Sequence, residues 1–235
     1  MQTTPHGWKV FDANLPLLTY EYSFGLGMAN ALAVGGKSGL MVVSPPWCAA
    51  SGVFDDLSHY GAVRALVAPN AFHHLGLPQW KARFPDAVVF APAQSIARVE
   101  KRSKLHGVRP LAEATSISGP RLKLVDMPHY KTGEVLVQVD TNRGLVWYVT
   151  DIIMNLPVLP SHPLARVLFK FSRSAPGLRF NNIAPLFMVS DKGALRDWVA
   201  DEFQKAPPKW LIVAHGDIVD FTAHPTAARS LFNSI

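Results

Sequence analysis

Four apolar runs in this chain each lead into a histidine or an aspartate, and no other feature restricts its folding so much. Val63 to Ala68 leads through Pro69-Asn70-Ala71-Phe72 into His73 and His74. Leu122 to Met127 leads to His129, Leu145 to Thr150 leads to Asp151, and Trp210 to Ala214 leads to His215. Runs of this length, rich in Val, Leu and aromatic residues, read as largely buried β-strands. Titratable residues at their ends point to one rim of a layered α/β protein, where ligands and catalytic groups are displayed. Taken singly each is weak, since a carboxylate after a strand is often a helix N-cap and a histidine there is often a loop residue. Taken together, His, His, Asp and His form a ligand set suited to zinc or iron.

The rest of the chain supplies the layers. Met28 to Val34 and Gly39 to Ser44 read as an antiparallel hairpin around Gly35-Gly36-Lys37-Ser38, ended by Pro45-Pro46. Gly52 to Tyr60, Leu77 to Phe84 and Ser95 to Ser103 read as helices, with a strand at Ala87 to Ala91 between the last two. Leu122 to Asp126, Glu134 to Val139 and Leu145 to Thr150 then follow one another as strands, with a hairpin loop at Asp140 to Gly144. Lys192 to Phe203 carries Leu195, Trp198, Val199 and Phe203 on one helical face, and Thr226 to Phe232 is a last helix. Residues 1–20 show only a turn at Asp12 to Pro16, and 155–185 form a Pro-, Phe- and Arg-rich excursion with one helix, Pro163 to Phe171. Strands and helices alternate, strands then run together, and the alternation returns. That order predicts two sheets in a single domain spanning 1–235, with helices outside.

Composition narrows the function classes. The chain has 235 residues, 49% hydrophobic and only 17% charged, which excludes a disordered chain and suffices for one large core. No apolar run reaches the ~18 residues of a membrane span and no signal pattern opens the sequence, so a cytoplasmic location is expected. The one cysteine, Cys48, excludes an internal disulfide and a cysteine-rich zinc site. The net charge of +6 is uneven. Arg98 to Arg109 is basic, and Ile152 to Ser190 carries Arg166, Lys170, Arg173 and Arg179 without one acidic residue. An anionic small-molecule substrate fits such patches; no nucleic-acid motif is present, and contact of the 163–171 helix with a membrane surface is a lesser option. Oligomeric state leaves no mark.

On these residues the chain resembles the metallo-β-lactamase fold superfamily. The family signature H-x-H-x-D-H before apolar-Gly aligns with Pro69-Asn70-Ala71-Phe72-His73-His74 before Leu75-Gly76. The family's His turn is similar to Pro128-His129-Tyr130, its strand-end Asp to Thr150-Asp151, and its last His to His215-Gly216. More narrowly, the Pro-Asn-x-x-His-His turn resembles the DUF4336-type branch. The resemblance implies an α/β (α+β) fold, the αββα sandwich of two mixed sheets with helices on both outer faces. It also implies His73, His74, His129, Asp151 and His215 as metal ligands, with Asp151 and His129 in catalytic roles; for a hydrolase of this kind, Asn70 or Tyr130 is the expected group to steady the developing oxyanion. The departures matter: Pro69 and Ala71 replace two ligands of the family's first metal site, so at most one ion, zinc or iron, is implied, and it sits on the His74 side.

Two functional readings stay open. One is a metal-dependent hydrolase with a reduced site acting on an ester, thioester, lactone or phosphodiester. The other is a non-catalytic protein that keeps the fold, holds no metal and binds a ligand or partner in the old cleft. The excursion reads equally as a lid over that cleft or as a structural segment packing Leu164, Val167, Leu168 and Phe171 on the core.

Overall fold

A computed structural model describes residues 1–25, 27–47 and 49–233; Cys48, set aside above as a ligand, lies outside the described residues. The first sheet collects β1 (Gln2–Thr3), β2 (Lys9–Asp12), β3 (Leu17–Ser23), β4 (Met28–Gly35), β5 (Leu40–Val43), β6 (Val63–Val67), β7 (Val88–Ala91) and β8 (Arg109–Pro110), which lie side by side in chain order. β1 to β5 pair antiparallel and β5 to β8 pair parallel. The parallel crossovers carry α1 (Ser51–Ser58), α2 (Leu77–Arg83) and α3 (Ile96–Ser103), with short α4 (Thr115–Ser118) leading out of the sheet.

The second sheet has the order β15-β14-β11-β10-β9, built from β9 (Leu122–Asp126), β10 (Val135–Thr141), β11 (Gly144–Val149), β14 (Trp210–Val213) and β15 (Val219–Asp220). The β10–β11 turn closes on Asn142-Arg143, since Thr141 already pairs with Gly144. Between β11 and β14 run β12 (Ile153–Leu156), α5 (Pro163–Phe171), β13 (Gly177–Phe180), α6 (Ala184–Phe187) and α7 (Lys192–Lys205), and α8 (Pro225–Asn233) closes the described chain.

Three apolar layers make the αββα sandwich. Between the sheets lie Leu17, Leu32, Val34, Met41, Val43, Val67, Val137, Val146, Tyr148 and Ile212. Outside the first sheet, Leu18, Val42 and Leu66 pack on Val53, Phe54, Leu57, Leu77, Trp80 and Val99 of α1 to α3. Outside the second, Trp147, Val149 and Val213 pack on Leu195 and Val199 of α7 and Leu231 of α8. Strand β4 shows the period of two that builds this: Ala29, Ala31 and Ala33 face the helices while Leu32 and Val34 face the other sheet. Small residues on one side and branched ones on the other fit a closer helix layer and a ~10 Å sheet-to-sheet core.

Two regions differ from the sequence reading. Residues 1–23 form three strands, whose alternation is hidden because β2 and β3 are mostly buried. The excursion contains the antiparallel hairpin β12–β13, and it does not pack Leu164, Val167, Leu168 and Phe171 on the core: all four are exposed. No helix among the described residues is long and apolar enough to cross a membrane.

Candidate metal centre

Strand β6 ends one residue before Ala68, and the turn that follows is shaped by Asn70. The Asn70 side-chain oxygen accepts from the backbone N–H of Phe72 (2.8 Å) and of His73 (3.1 Å), an Asx turn that reverses the chain within three residues. Gly76 lets this turn lie against the Pro45-Pro46 corner, where a Cβ would come within 2.1 Å of the Pro45 carbonyl oxygen. His73 is thereby swung beneath the end of β5. Its Nδ1 lies 2.7 Å from Ser44 Oγ, which in turn lies 3.0 Å from the Tyr22 hydroxyl. Asp151 leaves β11 beside it, and His215 leaves β14, the parallel neighbour of β11 in the same sheet. After His215 comes Gly216 at φ +115, pressed so closely on the Asn155 carbonyl that a Cβ would sit 1.9 Å from its oxygen.

Three of the expected residues converge. Ligand atoms of His73, Asp151 and His215 all lie within 4.8 Å of one another. His73 Nε2 is 3.5 Å and His215 Nε2 is 3.2 Å from the same Asp151 oxygen, Oδ1. The other carboxylate oxygen is committed elsewhere, accepting from Asn70 Nδ2 at 2.7 Å. Burial alone would raise the Asp151 carboxyl, but the charge and hydrogen bonds of the two imidazoles outweigh it and hold it well below the usual carboxylate range. Burial would lower His215, yet Asp151 holds it above its ordinary value.

The protonation pattern follows from the partners. His215 Nδ1 faces the Met28 carbonyl at 3.0 Å, and a carbonyl can only accept, so Nδ1 carries the hydrogen. In neutral His215, Nε2 therefore turns a lone pair toward the lone pairs of Asp151 Oδ1. Two lone pairs at that distance require a cation between them, either a proton or a metal ion. Two imidazole nitrogens and one carboxylate oxygen, opening on a cleft, fit zinc or ferrous iron with positions to spare.

Beneath Asp151 sits a carboxylate absent from the sequence reading. Glu134 is fully buried; its Oε1 accepts from the backbone N–H of Thr150 (3.0 Å) and Asp151 (3.1 Å) and from the Thr150 hydroxyl, and its Oε2 accepts from Asn70 Nδ2 (2.8 Å). Burial and then the neighbouring Asp151 push its pKa up to about 8. It clamps the strand end that carries Asp151. Asn30 does the same for His215: its Nδ2 donates to the carbonyls of Val213 and Gly216, both at 2.9 Å, and its backbone N–H to Ala214 at 2.7 Å. An acid opening an apolar run and an amide inside an alternating one were the signals for these two.

The remaining expected residues lie elsewhere. His74 does not join the cluster: its Nδ1 folds back to the Ala71 carbonyl at 3.0 Å, and burial, with Arg98 and Arg102 beside it, lowers its pKa. Adjacent residues in a turn point to different sides, and the Asx turn selects His73. His129 is exposed, at φ +64, and its carbonyl accepts from the backbone N–H and hydroxyl of Ser190; it is not among the converging ligand atoms. Asn70 is fully buried with its amide spent on Asp151 and Glu134, and Tyr130 is buried too, so the oxyanion roles expected of them do not match their placement.

The cluster opens on two connected hollows of about 350 and 640 Å³ that share Phe24, Ala29, Asp151, Asn181 and His215. Phe72, Leu75, Ile183 and Phe187 line one, and Val158, Ala165 and Phe169 the other.

Comparison of this architecture with solved structures identifies the fold. The chain matches a metallo-β-lactamase from Pontibacter korlensis with a TM-score of 0.64 at 13% identity, over 97% of this chain and 99% of that one. It matches the metallo-β-lactamase FIM-1 of Pseudomonas aeruginosa in its mono-zinc form with a TM-score of 0.56 at 13% identity, over 97% and 96%. A diflavin flavoprotein fragment from Nostoc sp. gives 0.60 at 10% identity, over 94% and 92%. The chain thus has the metallo-β-lactamase fold. No family model and no curated protein matches it in sequence.

Proposed function

We propose that this protein is a metal-dependent hydrolase working with a single ion held by His73, Asp151 and His215. The observation that carries the reading is the Asp151–His215 contact, in which a committed Nδ1 leaves Nε2 and Oδ1 facing one another across a space that needs positive charge. Zinc or iron bound there lowers the pKa of water toward neutrality and polarises a carbonyl or phosphoryl oxygen. The chain's own residues orient the site: Ser44 holds His73, the Met28 carbonyl holds His215, and Asn70 holds Asp151 so that only Oδ1 turns inward. The mono-zinc form of FIM-1 supports a one-ion reading on this fold. The apolar lining favours an ester, thioester, lactone or phosphodiester with an apolar arm. The narrower likeness to the DUF4336-type branch rests on the Pro-Asn-x-x-His-His turn.

The same contact favours a second reading, since a proton on His215 Nε2 also satisfies Asp151 and would leave a metal-free binding cleft. Metal analysis after purification, followed by zinc titration, separates the two. About one equivalent of zinc or iron, lost in His73→Ala and His215→Ala but retained in His74→Ala, supports the hydrolase reading, together with chelator-sensitive cleavage of aryl esters or bis-aryl phosphates. A protein that purifies empty and rejects added zinc and ferrous iron overturns it.

A further inference from the structure

Helix α5 presents to solvent the side that a helix in a globular protein normally buries. Leu164 is 76% exposed and Phe171 83%, with Val167 and Leu168 also open. At 100° per residue these four fall within one arc of about 100°. Ala165 and Phe169 point the other way, into the cleft that holds Asp151 and His215. Arg166 and Lys170 occupy the third side, adjoining the apolar arc, and Arg173 follows the helix. Residues 152–190 contain no Asp or Glu, while Glu21 and Asp217 line the cleft on the inner side with Ala165 and Phe169.

We infer that α5 is an interfacial helix that docks this protein on an anionic lipid surface. An apolar arc flanked by cationic residues is the pattern of a helix lying in a membrane interface, where anionic headgroups meet the basic side and acyl chains meet the apolar one. Charge selects lipid over a second copy of the chain. A symmetric pairing through α5 would set Arg166, Lys170 and Arg173 against their own equivalents, with no carboxylate in 152–190 to neutralise them. Because its inner side lines the cleft, the docked helix sets that wall of the cleft next to the bilayer. Docking itself needs no ion in that centre.

The test is flotation of the full chain with vesicles of phosphatidylcholine alone or with one-third phosphatidylglycerol. The wild type is expected to partition about tenfold more strongly to the anionic vesicles, and to lose that preference at high salt. Leu168→Ser with Phe171→Ser should cut partition to both vesicles about tenfold, and Arg166→Glu with Lys170→Glu should erase the anionic preference. These side chains lie on the solvent face, so unchanged circular dichroism and Tm should accompany both variants. Failure to bind anionic vesicles, binding indifferent to these substitutions, or a concentration-dependent dimer abolished by the Ser pair would overturn the inference.

Discussion

Ser44 illustrates how one side chain prepares this centre. It sits just past β5 at φ +54, a left-handed conformation that costs a non-glycine residue about 1 kcal/mol. Its backbone N–H donates to the Val67 carbonyl at 2.9 Å, and its hydroxyl joins Tyr22 to His73 Nδ1. These contacts hold the strained residue and, through it, the His73 ring, leaving Nε2 to the cluster. Ser44→Ala is expected to weaken zinc binding about 10- to 100-fold with little loss of stability, read by competition against a chromogenic chelator. Equal affinities for the two proteins would deny Ser44 its positioning role. His73 and His74 show why a pair of neighbouring histidines is ambiguous in sequence: residue type makes both candidates, and two backbone hydrogen bonds to Asn70 decide between them.

At the level of elements, the site depends on where β14 stops. Gly216 allows the chain to turn immediately after His215 while touching β12, with the Asn155 N–H donating to the His215 carbonyl at 3.0 Å and Asp217 N–H to the Asn155 carbonyl at 3.0 Å. An added methyl meets rigid backbone rather than a flexible side chain, at a φ that side chains avoid. Gly216→Ala is therefore expected to cost more than about 3 kcal/mol and to lower zinc affinity by displacing His215, measured by thermal denaturation and dialysis. A fully stable variant with native affinity would contradict the close approach. The strands bearing the site residues were readable because they are apolar, mostly buried and bounded by turn residues. The β12–β13 pair was not, because its strands are partly exposed and separated by the whole of α5.

In the whole molecule, two polar residues join the sheets at opposite ends of the sandwich. Near the site, Asn30 of the first sheet binds the end of β14, and the Tyr148 hydroxyl of the second donates to the Asn30 carbonyl at 2.8 Å. At the other end, the Arg143 guanidinium lies 4.5 Å from the Phe11 ring and 4.7 Å from the Trp210 ring, and donates to the Phe11 carbonyl. Both Asn30→Ala and Arg143→Ala are expected to lower stability by about 1–3 kcal/mol. Only Asn30→Ala should also weaken zinc binding, since it alone frees the His215 strand end; parallel denaturation and metal titrations separate the two effects. The amino-acid sequence by itself determined the layers, because apolar patterning and turn residues are local properties that most segments of the sandwich obey, β1 to β3 and β12–β13 aside. It also marked the strand ends where chemistry collects. Which side chains meet there was decided by tertiary structure. Ser44, Asn70, Glu134 and Asn30 come from four separate segments, and their hydrogen bonds hold His73 rather than His74 toward the cluster, turn one Asp151 oxygen inward and fix the strand end that carries His215. Apart from the local turn at Asn70, these bonds join residues 17 to 186 positions apart, a separation at which local pattern carries little information and only the packed sheets bring donor and acceptor together.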